Sequence, residues 1–368
     1  MADFSGKVGL IQRVLPEYRA PLFNALGHAC QGGLSIFAGA PRVKEMIQPV
    51  DRLEDACLAH GKNLHLFSNK LYLCLQFGLL DWLADWNPDA LIVEANPRYM
   101  MTPAAVRWMH QRNRPVIGWG LGTPPLQGAL APLRANRRKR FIQQFDTLIT
   151  YSQKGASEYT ALGFPKDHIF IAVNAVTPPP AHPLPSRPDP SRVKIPGVLF
   201  VGRLQERKRV DNLIRACAGL PDSLQPKLVI VGDGPAREKL EALADKIYPN
   251  AVFTGACYGE ALDELFRRAD LFVLPGTGGL AIQQAMSFGL PVIAAEADGT
   301  QADLVRPGNG WQVSPDDFTA LASILETALS DIAQLRKMGA ESYRIVSEEI
   351  NLDMMVAVFV EALKRSVK

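Results

Sequence analysis

The stretch Leu274-Pro-Gly-Thr-Gly-Gly-Leu-Ala-Ile-Gln-Gln-Ala-Met-Ser-Phe-Gly-Leu-Pro291 reads as a strand end, a glycine-rich turn and a helix that starts at the turn. Gly276, Gly278 and Gly279 carry no Cβ, so the backbone here can approach an anion closely. A helix beginning near Leu280 aims unpaired N–H groups and the positive end of its dipole at the same place. A diphosphate is the ligand whose chemistry fits. A plain strand-to-helix connection satisfies the same pattern, so the rest of the chain has to decide.

The chain has 368 residues, more than one ordinary core accommodates, and two domains of about 150 to 190 residues are expected. Apolar residues make up 47% and charged ones 21%, the composition of a soluble globular protein. Forty Lys and Arg against 37 Asp and Glu leave a formal charge of +3, which argues against a nucleic-acid partner. Five cysteines, Cys30, Cys57, Cys74, Cys217 and Cys257, show no C-x-x-C spacing and suggest neither a disulfide framework nor a zinc site. The six histidines show no ligand spacing. The opening Met1-Ala-Asp-Phe-Ser-Gly-Lys7 leads directly into a strand, and no apolar run reaches the roughly 20 residues that span a bilayer. A cytoplasmic protein is expected, with a peripheral position on the inner membrane face as a further option.

Short apolar runs alternate with amphipathic stretches at residues 8–11, 34–38, 90–94, 116–119, 147–150 and 169–173, and again at 198–202, 227–232, 251–255, 271–275 and 292–295. These are the marks of buried parallel strands with helices between them. Between the two series lies Thr177-Pro-Pro-Pro-Ala-His-Pro-Leu-Pro-Ser-Arg-Pro-Asp-Pro190, whose prolines lack donors and resist helix. The reading is a first domain at 1–177, a proline-rich linker at 178–196, a second domain at 197–345, and a C-terminal helix within 346–368 that packs back on the first domain. Both domains are α/β and doubly wound, and ligands of such sheets sit outside the carboxyl ends of the strands.

The second series opens with Val201-Gly-Arg-Leu-Gln-Glu-Arg-Lys-Arg-Val-Asp-Asn-Leu-Ile214. This segment resembles the G-R-L-x-x-x-K-G-x-x-x-L-I motif of retaining nucleotide-sugar glycosyltransferases of the GT-B fold, glycosyltransferase family 4. Val229-Ile-Val-Gly-Asp-Gly-Pro235, Val252-Phe-Thr-Gly255, Ala269-Asp-Leu-Phe-Val-Leu-Pro275 and Gln284-Ala-Met-Ser-Phe-Gly-Leu-Pro-Val-Ile293 follow in the family's order. The resemblance is strong over 198–310 and only in outline before it. It implies two Rossmann-like parallel-sheet domains facing a central cleft, and hexosyl transfer from a UDP- or GDP-sugar to a hydroxyl of a lipid-linked or cell-surface glycan. It also implies no cofactor and no metal. The alternative is a catalytically silent sugar-nucleotide binder that serves another transferase; an epimerase is a third reading.

By the same resemblance, Arg203 and Lys208 hold the donor diphosphate and stabilise the departing nucleoside diphosphate. A guanidinium forks two phosphate oxygens and an ammonium adds a mobile charge. Gly202, the turn Gly276, Thr277, Gly278 and Gly279, and the helix start Leu280 and Ala281 meet phosphate and sugar; Gln284 meets ribose; Gly255 to Tyr258 meet the base. Arg207 and Arg209 read as surface charges, and Arg209 stands where the family usually has Gly. The family's E-x7-E pattern places acids at the positions of Gly276 and Gln284, and neither is acidic here. Gln284 can still hydrogen-bond ribose, at a loss of about 1 to 2 kcal/mol relative to a carboxylate. Leu121 in Val116-Ile-Gly-Trp-Gly-Leu-Gly122 stands where many members have a histidine.

On the acceptor side, Gln12-Arg-Val-Leu-Pro-Glu-Tyr-Arg-Ala-Pro21 resembles the loop that borders acceptor and diphosphate, which makes Arg13, Glu17 and Arg19 candidates. Glu94, Asn96 and Trp119, near the mouths of other strands, complete that set. The run Arg134-Ala-Asn-Arg-Arg-Lys-Arg-Phe-Ile142 reads either as a solvated helix face or as a contact of Arg134, Arg137, Arg138, Lys139 and Arg140 with anionic lipid headgroups. The apolar stretch Leu71 to Leu83 reads as a helix that covers the sheet or joins such a patch.

Overall fold

The computed structural model describes residues 3–42, 45, 47–67, 72–124, 126, 128 and 130–367. The chain divides into two units, Met1–Val176 with Leu352–Lys368, and Thr177–Asn351.

In the first unit the elements run β1 (Val8–Gln12), α1 (Ala20–Ala29), β2 (Leu34–Gly39), β3 (Cys57–Leu66), β4 (Leu73–Phe77), α2 (Leu79–Trp86) and β5 (Ala90–Glu94). They continue as α3 (Thr102–His110), β6 (Val116–Gly120), α4 (Ala131–Ile142), β7 (Thr147–Thr150), α5 (Gln153–Ala161) and β8 (Ile169–Ile171). The sheet order is β4-β3-β2-β1-β5-β6-β7-β8, parallel except where β4 runs against β3. Period-2 alternation decides the packing, since successive strand residues face opposite sides. Leu10, Ile92, Ile117 and Ile149 share one core with Phe23 of α1, whereas Ile11, Val93, Val116 and Leu148 share another with Leu83, Met109 and Ile142.

Two strands of this sheet carry no sequence expectation. β3 alternates between half-buried and exposed positions and carries Gly61, Lys62, Asn63 and two histidines among its apolar residues, so its apolar alternation is faint. Within the stretch expected as one apolar helix from 71 to 83, Leu71 lies outside the described residues, Leu73–Phe77 is a strand and the helix begins only at Leu79. Gly78 separates them in the left-handed region at φ 85°, a turn that costs glycine little.

The second unit runs β9 (Gly197–Val201), α6 (Val210–Ala218), β10 (Lys227–Val231), α7 (Arg237–Ile247), β11 (Val252–Gly255), α8 (Gly259–Arg268) and β12 (Leu271–Leu274). It ends with α9 (Leu280–Ser287), β13 (Val292–Ala295), α10 (Thr300–Leu304), β14 (Gly310–Val313), α11 (Phe318–Ser330) and α12 (Ile332–Glu348). Its sheet is parallel throughout, in the order β11-β10-β9-β12-β13-β14. The winding goes outward from β9 to β11, then restarts on the other side of β9 with β12. That reversal makes the carboxyl ends of β9 and β12 the crevice where such sheets bind ligands.

The last helix, α13 (Leu352–Ser366), belongs to the first unit and packs on α1 and on β6, β7 and β8. Its Phe359 meets Trp119 edge-on at 4.9 Å between ring centres, and both are fully or almost fully buried. The proline-rich stretch expected as a linker at 178–196 falls within the second unit. It is held there because Arg187 sinks its guanidinium among the carbonyls of Phe266, Arg267, Ala269 and Phe288, and Tyr343 donates to the carbonyl of His182. Prolines donate nothing to a sheet, so side-chain bonds hold the segment instead.

Candidate functional site

The loops after β9 and β12 lie against each other. The Thr277 amide donates to the Arg207 carbonyl at 3.0 Å, and the Arg207 guanidinium returns a bond of 2.8 Å to Thr277 Oγ1. A Cβ at Gly276 would overlap the backbone of Arg207 and Lys208, so only glycine lets the two turns touch. At Gly278, φ 147°, an added Cβ would collide with the Lys208 ammonium. Lys208 therefore ends inside the glycine turn. Burial and the neighbouring Arg207 charge push its ammonium down from 10.5 to about 8, and it forms no salt bridge among the described residues.

Gly279 precedes α9 and supplies no side-chain cap, so the first turn of the helix, with Leu280 and Ala281, keeps donors for a ligand. Gly202 stands beside the stem of Lys208, and exposed Arg203 follows it. Gln284 is half-buried one turn into α9, whereas its neighbour Gln283 is buried and donates to the Ile350 carbonyl. Gly255, φ 75°, accepts from the Gly232 amide at 2.8 Å, and Tyr258 beyond it is 80% exposed. Arg209 sits at φ 52° before α6, the left-handed region that explains a glycine preference at this position. It pairs with Asp316 at 2.6 Å.

Two residues hold this turn that the sequence did not assign to it, Arg207, read as a surface charge, and Gln301. Arg207 is the clasp on Thr277 described above. Gln301, buried in α10, donates from Nε2 to the Gly278 carbonyl at 2.6 Å while its Oε1 has no partner among the described residues. Nothing local marks either one, since both act across a turn far away in the chain.

In the first unit, the ends of β1 and β5 bring Arg13 and Glu94 together: the Arg13 amide donates to Glu94 Oε2 at 2.6 Å. Burial raises the Glu94 carboxyl to about 7, against the pull of that bond and of the Arg13 and Arg19 charges. The Arg13 guanidinium pairs with Glu45 at 2.9 Å. Burial would raise Glu45, but its bonds to Arg13 and Arg42 outweigh this and hold it at about 2. Arg19 is buried with its guanidinium over the rings of Trp119 and Tyr151, and its Nη1 has no partner among the described residues. Glu17 is exposed in the turn before α1, and Asn96 Oδ1 accepts locally from the Arg98 amide.

Trp119 corrects one expectation. It is a core ring, 2% exposed, packed against Phe23, Tyr151 and Phe359, because strand alternation puts it on the same face as Ile117. It cannot serve as an acceptor platform. On α4, Arg134, Arg137, Lys139 and Arg140 are exposed, while half-buried Arg138 donates to the Pro124 carbonyl at 2.7 Å. Leu130 and Leu133 beside them are 66% and 69% exposed. Among the described residues no His, Cys, Asp or Glu side chains gather in a metal-binding group of three. None of their helices is long and apolar enough to cross a membrane.

With this geometry in place, comparison with known proteins is informative. Residues 187–345 match the family model of glycosyl transferases group 1. Over those residues the chain is similar to that family. The matched stretch contains the whole Lys208 and Gly276–Gly279 arrangement. A GDP-mannose-dependent alpha-mannosyltransferase of Mycolicibacterium smegmatis is 41% identical over 155 residues, which is 41% of this chain and 38% of the relative. A protein of the same name from Corynebacterium glutamicum is 42% identical over 166 residues, 44% of this chain and 38% of the relative. The match thus spans about two fifths of the length of these relatives. Among solved structures, Anabaena Alr3699/HepE in complex with UDP superposes with a TM-score of 0.70 at 17% identity, covering 98% of this chain and 99% of that one. The fold is GT-B, two parallel-sheet α/β domains.

Proposed function

We infer that the protein transfers a hexosyl group from a nucleoside-diphosphate sugar to a hydroxyl acceptor, with retention at the anomeric carbon. The observation that carries this reading is the Lys208 ammonium held inside the glycine turn without a carboxylate partner among the described residues. An ammonium desolvated beside helix N–H groups is a seat for a diphosphate. In the reaction, the bond from the anomeric carbon to the diphosphate oxygen breaks and the acceptor oxygen bonds to that carbon on the same face. The acceptor proton passes to the departing phosphate. Lys208, Arg203 and the start of α9 stabilise the charge that grows on the leaving group. These cations take the place a divalent metal would fill, so none is required. Gln284 holds ribose, Gly255 to Tyr258 the base, and Arg13, Arg19 and Glu94 are the acceptor-side groups.

The mannosyltransferase relatives favour GDP-mannose as the first donor to try. The acceptor in this reading is a lipid-linked or cell-surface glycan, with the basic face of α4 and its exposed Leu130 and Leu133 resting on anionic lipid. The test is release of nucleoside diphosphate from GDP-mannose and a panel of UDP-sugars, in chelator, with lipid extract as the acceptor source. Turnover that Lys208→Ala abolishes supports the proposal. Tight donor binding with no turnover on any acceptor would replace it with the silent binder, the reading that the missing acids at Gly276 and Gln284 favour.

A further inference from the structure

On the second unit, α6 and α7 border a cavity of about 790 Å³, within the range of organic-ligand sites. Its apolar lining is Val210, Ala236, Leu240, Ala242 and Leu243, aliphatic throughout, which suits an alkyl chain better than a nucleobase. Its rim is basic. Lys239 is answered by Glu206 at 3.3 Å, and Arg209 by Asp316 at 2.6 Å and Asp211 at 3.9 Å. Two cations remain. Arg215 is exposed and has no salt bridge among the described residues. Among the described residues Arg207 bonds neutral oxygens alone, Gln205 Oε1 at 2.9 Å and Thr277 Oγ1 at 2.8 Å. An occupant that matches this lining has an aliphatic body and a negatively charged head.

We propose that this cavity is a regulatory site for a monoacyl anion of the alkyl-phosphate type, seated on Val210, Leu240 and Leu243 with its head between Arg207 and Arg215. The coupling to donor binding rests on the reading given under Proposed function. A charged head is a stronger acceptor than a hydroxyl, so it draws the Arg207 guanidinium away from Thr277. The turn at 276–279 then loses its bond from the Arg207 guanidinium and keeps those to the Arg207 carbonyl and from Gln301. Occupation loosens the seat of the diphosphate.

The experiment is calorimetric titration of the full chain with dodecyl phosphate below its micelle concentration, beside inorganic phosphate and dodecyl maltoside. One dodecyl phosphate is expected per chain, bound at least about tenfold more tightly than either control. Leu243→Asp should abolish this binding and Arg215→Gln, an exposed change that leaves folding intact, should weaken it about tenfold. Saturation with dodecyl phosphate should weaken GDP binding several-fold, and Arg207→Ala should remove that effect. Absence of saturable binding, or binding indifferent to both Leu243→Asp and Arg215→Gln, overturns the site. Binding that leaves GDP affinity unchanged overturns its regulatory role. If GDP itself does not bind, the donor reading fails while the alkyl-phosphate titration still judges the cavity.

Discussion

The ammonium of Lys208 occupies the space that a side chain at Gly278 would need. Two residues 70 positions apart in the chain thus share one volume, and the arrangement leaves a desolvated cation at the start of α9 with no salt-bridge partner among the described residues.

Gly278→Ala should therefore act like removal of the lysine. The methyl collides with Nζ, and alanine at φ 147° is strained in its own right. Titration calorimetry with the nucleoside diphosphate should show affinity lost by about tenfold or more, matching Lys208→Ala. An alanine variant that binds normally would show that the ammonium does not work from this position.

The depressed Lys208 predicts two pH trends of opposite sign. Its folded value of about 8 lies below the ordinary 10.5, so between those values the unfolded chain holds more protons and stability rises with pH. Donor binding needs the charged form, so affinity falls as pH passes above about 8. Chemical denaturation and donor titration, each run from pH 7 to 10, check the pair, and Lys208→Met should flatten both.

Restoring an acid at position 276 should fail. A Cβ there meets the backbone of Arg207 and Lys208, which has no rotamer to swing aside, so Gly276→Glu must part the two turns. The expected outcome is a melting temperature lowered by several degrees and weaker donor binding, with no gain in turnover. Improved turnover would mean that the loop yields and that the glycine is simply a lost acid.

Arg187 predicts that the proline-rich segment is structural. Its guanidinium serves four backbone carbonyls, and burial with nearby Arg336 lowers its value to about 10, the mark of a charge taken out of water. Arg187→Met leaves those carbonyls unpaired and should cost about 3 kcal/mol in denaturant unfolding. Proteolysis within 177–196 should quicken in the same variant. Unchanged stability would return the segment to the role of a loose linker.

Much of the site was legible in the sequence because its signals are local. Glycines at 276, 278 and 279 followed by an apolar helix, and a lysine five residues past an arginine at a strand end, can be read without knowing what they touch. The clasp of Arg207 on Thr277 and the bond of Gln301 to Gly278 join residues 70 and 23 positions apart, and no window of sequence contains either. The misplacement of Trp119 has the same origin: its strand was clear, but only the packing of α1 and α13 on one side of the sheet decides that its ring is core.

By itself the sequence determined two α/β units of parallel strands, the order of the motifs in the second, and the pairing of basic residues with a glycine turn. Periodicity, glycine and proline act on their immediate neighbours, so these features need no partner to be visible. The tertiary structure alone decided that Gly276 must be glycine, that Lys208 ends inside the turn, and that Arg187 anchors the proline-rich stretch. Each depends on how closely two distant backbones approach, a distance set by strand register and helix packing. The glycine turn at 276–279 is where the two kinds of information meet: the sequence marks it, and the loop after β9 gives it its shape and its charge.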